Sequence, residues 1–344
     1  MSGLEGKPAS RWRRSLSISI PVAVSAGLVA WILYKIPDLD QVVRRISGAL
    51  FEHPLFLLAI VPVCLASHGF RASRWRRMLG GNLSLFYCFT SVMLGYSVNL
   101  VVPRGGEVAR IVNMHRTTEA PVAHLVATVI AERIIDVVVL VAFLGLAILI
   151  DGPRIADAFP ALFWLAPAVF AASALSLSIV IWMVYAPAGI ARLSGGIAGR
   201  FGRAFGTRVE AFVAEGARGL ASMKEPRQAG LAIFETLAIW ILYWAAMILG
   251  LAAFDLFPGL GFGGGTVSFA ITSCAVMVPS LGSLGPYHEI GLSALTGIYA
   301  VPVETALGCM TVLHAIQFIL VGGFLGLLIW LLQPFVRPSG RLAK

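Results

Sequence analysis

Six stretches of this chain, at about 16–34, 54–70, 122–149, 161–185, 231–254 and 303–333, are apolar over a length that can cross a lipid bilayer. Hydrocarbon offers no partner to a bare backbone N–H or C=O, so a spanning segment must be a helix or part of a closed barrel. Runs of this length read as helices. Composition agrees: 58% of residues are hydrophobic and 12% charged, against about 25% charged in an ordinary soluble domain. No polar stretch is long enough for a separate catalytic domain. No HExxH, GxSxG or phosphate-loop pattern occurs. The expectation is therefore a protein that is not an enzyme and carries no cofactor.

The net charge of +9 does not point to nucleic acid, because the basic residues flank apolar runs in the manner of the positive-inside rule. Of 26 lysines and arginines, 21 fall in five segments that can share one face: the N-terminal tail, 71–77, 104–116, 186–230 and the C-terminal tail. The opposite face holds Lys35, Arg44, Arg45 and Arg154, and Arg133 lies inside a span. This reads as a multi-pass protein of a bacterial inner (plasma) membrane with both termini cytoplasmic. The run at 16–34 is too long for a signal peptide and is read as an uncleaved first span. Arg74, Trp75, Arg76 and Arg77 are expected against anionic headgroups. Cys64, Cys88, Cys274 and Cys309 lie apart in apolar stretches and read as small hydrophobes, with no disulfide or metal pattern.

That sidedness forces two segments to return to the face they left. Residues 84–120 and 260–302 each carry a Pro/Gly break near the middle and read as broken hairpins, either re-entrant with two half-length helices or made of two full spans. Such backbone survives at membrane depth only when protein buries it or water lines it. The breaks resemble each other: NLVVPRGGE (Asn99 to Glu107) and VMVPSLGSLGPYHE (Val276 to Glu289) both run through Val-Pro and glycines to a glutamate. The expected fold class is an all-α polytopic membrane bundle of about six full spans plus two broken hairpins, arranged as inverted repeats at about 54–150 and 231–333. One transmembrane domain would cover 16–335, between a basic tail at 1–15 and a short tail at 336–344. The linker at about 187–230 reads either as an amphipathic helix on the cytoplasmic surface or as a helical hairpin packed on the bundle.

Ionisable groups inside spans are costly and usually face a bundle interior or a wet cavity. Glu132 and Asp136, four apart, share a helix face. With Arg133 they are either a polar lining, in which Arg133 meets a lipid phosphate, or a structural ion-pair network. In the first hairpin Arg104 and Arg110 flank Glu107. Guanidinium suits bidentate phosphate recognition, and Gly105 and Gly106 let backbone N–H groups approach an anion. The alternative there is a hairpin tip with snorkelling arginines; Asn99 serves freed backbone groups in either case. In the second hairpin Glu289 stands in a first helical turn, where the helix dipole alone favours it. His288, His314 and Gln317 are either parts of a proton-coupled site or hydrogen-bonded helix contacts. The histidines have no metal-ligand spacing.

At RASRWRRML (Arg71 to Leu79), NLVVPRGGEVAR (Asn99 to Arg110), AERIIDVVVL (Ala131 to Leu140) and PSLGSLGPYHE (Pro279 to Glu289), the chain resembles the membrane region of lysylphosphatidylglycerol synthases, a family with many stand-alone, flippase-like members. The resemblance covers about residues 15–335. It implies movement of a lipid between leaflets, and its stand-alone members imply a link to hopanoid or lipid-linked glycan metabolism. Two departures stand out: no aminoacyl-transferase domain is present in the sequence, and LHAIQF (Leu313 to Phe318) stands where many members have an arginine. The leading expectation is translocation of an anionic phospholipid or isoprenoid-derived lipid. A non-transporting membrane partner of a lipid- or glycan-modifying enzyme is the alternative, and an embedded enzyme using His288 and Glu289 the least favoured. Nucleic acid is not expected as a partner; a homo-oligomer is left open.

Overall fold

The computed structural model describes residues 22–32, 34 and 38–335. The basic N-terminal tail, the start of the first span and the tail after residue 335 lie outside the described residues. Within them the chain is helical, with no strand. Six helices are long and apolar enough to cross a membrane. Five coincide with expected spans: α3 (Pro54–Met78), α6 (Val122–Ala158), α7 (Pro160–Tyr185), α10 (Pro226–Ala253) and the last helix, Val303–Phe335. The sixth, Phe257–Met277, is the first arm of the second hairpin, which is longer than a half-span. The described part of the first expected span is α1 (Val22–Ile32).

The centre of the bundle is the antiparallel pair α3 and α10, whose contact is the most extensive in the molecule. Ile60 and Cys64 of α3 and Ile239, Met247 and Leu251 of α10 are buried together with Cys309, Met310 and Leu313 of α13 (Val303–His314). At one end Arg77 is bound to Glu235 and Gln228. At the other, His53 meets Asp255 at 3.1 Å. Both central helices are followed by a hairpin and a long helix. The first hairpin is α4 (Leu85–Val101) and α5 (Gly105–Thr118). The second is α11 (Phe257–Ser273) and α12 (Pro286–Tyr299), joined by short helical turns at Cys274–Met277 and Leu281–Ser283. Each hairpin reaches across: α4 packs on the last helix, and α11 packs on α6.

Local chemistry explains the first turn. Pro103 has no N–H to continue a helix, so α4 stops at Val101 and Arg104 takes a left-handed φ of 55°. The Asn99 side-chain oxygen then accepts the Gly106 N–H at 2.8 Å. Gly106 presses against α4 so closely that a Cβ would lie 2.1 Å from the Gly95 carbonyl oxygen. In the second turn a Cβ on Gly282 would lie 2.6 Å from Leu100 of the first hairpin, and the Leu281 N–H donates to Ser25 of α1.

Peripheral helices complete the bundle. α2 (Leu39–Glu52) is amphipathic and lies beside α13. The linker forms two helices, α8 (Pro187–Gly199) and α9 (Arg203–Gly219), which pack on each other and, through α9, on α6. The last helix runs from α13 through wider π turns at Ala315–Leu325 into α14 (Gly326–Leu331).

Gly106→Ala should lower the melting temperature of the detergent-solubilised protein clearly, at a cost of about 1–3 kcal/mol for forced overpacking, because the obstructing atom is backbone. Gly230→Ala, with nothing within 4 Å of the added carbon, should leave it unchanged or raise it slightly. Equal melting of both variants and the parent would contradict this account of the first hairpin.

Candidate functional site: an arginine cluster between four helices

Near the α3 C-terminus, α3 presents Arg71 and Arg74, three residues apart and facing α6. Asp136 of α6 takes one Arg71 nitrogen at 2.8 Å and one Arg74 nitrogen at 3.0 Å. Arg133, one turn before it, reaches the same carboxylate at 3.1 Å. Glu132 accepts from Arg74 at 3.4 Å and is bound closely by Arg110 of α5. Glu107, one turn earlier on α5, stands 4.0 Å from Arg133. Arg74 and Glu132 side chains are fully shielded from solvent, whereas Arg133 and Glu107 are 40% and 31% exposed. The open edge of the cluster is therefore the Arg133–Glu107 side.

Neutral groups complete the shell. Arg74 donates to Thr236 of α10 at 2.9 Å, and Arg71 to Tyr243 at 3.3 Å. Tyr243 shares a hydrogen bond with Tyr96 of α4, whose ring lies 4.2 Å from His68. The Arg110 guanidinium sits 4.1 Å above the Trp75 ring, held in turn by Thr128.

Two features go beyond simple pairing. Four arginines face three carboxylates, so the group carries one excess positive charge. The Nε–H groups of Arg71, Arg74, Arg110 and Arg133 are buried and find no acceptor among the described protein atoms. A small cavity of about 40 Å³ opens among Arg71, Tyr96, Asn99, Glu107, Arg110 and Arg133. That is room for water molecules, each needing at least about 10–15 Å³ by this measure, and not for a lipid headgroup.

The sequence-derived residues divide into three groups. Asn99, Glu107, Arg110, Glu132, Arg133 and Asp136 come together here. Arg104 does not; it is exposed and donates to the Met277 carbonyl at 2.8 Å, tying the two hairpin turns together. His288, Glu289, His314 and Gln317 belong to the second hairpin and the last helix, and none lines the cavity. The two histidine rings are 4.7 Å apart, His314 bonds the Gly282 carbonyl, and Gln317 donates to Tyr287.

The sequence reading missed Arg71 and Arg74 as site residues and placed Arg74–Arg77 at headgroups. Arg74 and Trp75 are fully buried, Arg76 donates to the Leu83 carbonyl, and Arg77 is taken by Glu235. The available signal was spacing: arginines three apart on one helix match acids four apart on another.

The fold and this buried charge network define a multi-pass helical membrane protein. The chain matches the model of the lysylphosphatidylglycerol synthase TM region over residues 18–324, and it belongs to that family. It is thus a membrane protein of lipid metabolism or transport. No curated protein and no solved structure matches it.

Removing the Asp136 carboxylate takes a partner from three arginines and leaves Arg71 without an ion pair among the described residues. Asp136→Asn should destabilise the protein by about 3–5 kcal/mol, the cost of breaking a buried pair, read as a large fall in melting temperature in detergent. Glu107→Gln, at the open edge, should cost under about 1 kcal/mol. Comparable losses for the two would refute the assignment of Asp136 as the hub.

Proposed function

We propose that this protein moves a lipid with an anionic phosphate headgroup between leaflets, along the open edge of the arginine cluster. The observation that carries the reading is the surplus of one positive charge together with four buried donors that lack an acceptor. A phosphate oxygen accepts well from guanidinium, and a buried donor without a partner costs about 1–3 kcal/mol. A headgroup phosphate at the open edge would offset the surplus charge and offer an acceptor on the cavity side, which Arg71, Arg110 and Arg133 line. The membrane would be a bacterial inner membrane, with the cluster toward the cytoplasmic leaflet. The matching order of α3, hairpin, α6 and α10, hairpin, last helix suits inverted repeats that open this edge alternately.

A second reading, a non-transporting partner of a lipid- or glycan-modifying enzyme, draws on the small size of the cavity. The readings part in one assay. Purified protein in phosphatidylglycerol-containing liposomes should accelerate loss of inner-leaflet fluorescent phosphatidylglycerol to an external quencher, relative to empty liposomes. Arg133→Gln, half-exposed and so compatible with folding, should slow this by about tenfold, the worth of one charge-assisted hydrogen bond of roughly 1.5 kcal/mol. Rates equal to empty liposomes would remove the translocation reading and leave the partner reading.

A further inference from the structure

At the other end of α3 lies a second polar recess, a cleft of about 340 Å³ between α2 and the end of α10. Gln41, Arg44, Arg45, Glu52, His53 and Asp255 line it. Arg44 also reaches Asp38 at 3.4 Å, while Arg45 has no ion-pair partner among the described residues. Asp255 is held in a left-handed backbone conformation (φ 56°) after the last turn of α10, and its carboxylate meets His53 while remaining 73% exposed. The cleft's charged lining is two guanidinium and two carboxylate groups, which is charge-balanced, unlike the arginine cluster.

Position adds to composition. His53 and Arg71 are 18 residues apart on one helical path, roughly 27 Å at 1.5 Å per residue, close to the hydrocarbon thickness of about 30 Å. The cleft and the cluster therefore sit near opposite headgroup levels. Chain neighbours of the cleft are apolar and outward: Phe51, Leu55 and Leu58 are 85%, 79% and 65% exposed. A ligand here would have a polar end in the cleft and hydrocarbon along α3.

From this geometry we infer that the cleft binds the headgroup of a zwitterionic phospholipid bearing a primary ammonium, of the phosphoethanolamine type. Arg44 and Arg45 take the phosphodiester. Glu52 and Asp255 take the ammonium, whose N–H groups a carboxylate can accept and which a quaternary ammonium lacks. An anion alone would leave the two acids opposed to it; a zwitterion satisfies both pairs. This goes beyond the translocation reading by adding a phospholipid site in the opposite leaflet, and binding at the cleft stands or falls separately from movement of lipid along the arginine cluster.

The test is equilibrium binding of short-chain lipids to the purified full chain in detergent. Dihexanoyl phosphatidylethanolamine should bind at least about fivefold tighter than the phosphatidylglycerol and phosphatidylcholine analogues, an interval of roughly 1 kcal/mol. Glu52→Gln with Asp255→Asn should abolish that preference, and Arg44→Gln with Arg45→Gln should weaken all three lipids. Arg133→Gln should leave the preference unchanged. Soluble phosphoethanolamine should bind more weakly than the lipid; equal binding would overturn the lipid as occupant. No preference in the parent protein, or one untouched by the Glu52 and Asp255 changes, would overturn the site itself. Melting temperatures of the variants separate lost binding from lost fold, and since the four residues are at the surface, they should melt with the parent.

Discussion

Asp136 binds three guanidinium groups at once, two on α3 and one on its own helix, and the placement of everything around the cavity follows from it. A lone carboxylate in a membrane interior is expensive. Once ringed by Arg71, Arg74 and Arg133 it fixes the rotation of α6 relative to α3. With that rotation set, Glu132 faces α5 and captures Arg110, which brings the first hairpin against both long helices. The hairpin could not settle there without Gly95 and Gly106, whose backbones nearly touch. Charge sets the direction of packing, and small residues set its distance.

The two halves share an order of elements but not a chemistry. The first hairpin faces a charged centre. The second meets an aromatic and histidine group, in which His314 stacks on Phe318 while Tyr287 and His288 pack against them edge-on or tilted. Between them Arg104 and Leu100 of one turn touch Met277 and Gly282 of the other. A change at one hairpin turn is therefore felt directly by the other, without passing through the long helices.

Much of this was legible in the chain itself. Long apolar runs announce spans because hydrocarbon leaves so few alternatives, and the breaks at Pro103 and Pro279 marked both hairpins. The cluster on α5 and α6 was also readable, since Glu107, Arg110, Glu132, Arg133 and Asp136 are ionisable groups in apolar surroundings. Arg71 and Arg74 were not recognised because they sit at the basic end of a span, where snorkelling into headgroups gives the same sequence pattern. Only the facing acids distinguish the two cases, and facing is a tertiary fact. The sequence leaves open whether the hairpin arms are half-length or full spans, because apolar length does not show where a kinked helix ends: Phe257–Met277 is long enough to cross a membrane although Gly261, at a φ of 59°, interrupts its helical geometry.

The π turns of the last helix carry a consequence of their own. A π turn holds more residues than an α turn, so the stretch Ala315–Leu325 stores surplus chain. The Ser97 hydroxyl of α4 lies within hydrogen-bonding reach of the Gly322 and Gly323 carbonyls there, while beyond it Trp330 and Gln333 grip Asn113 of α5. Tightening to α geometry would swivel those last residues about the helix axis, dragging or releasing α5 and, with it, Arg110. The terminal helix is thus tied, through Asn113, to the same helix that carries Arg110, so that a change in its winding would bear on the seating of one arginine.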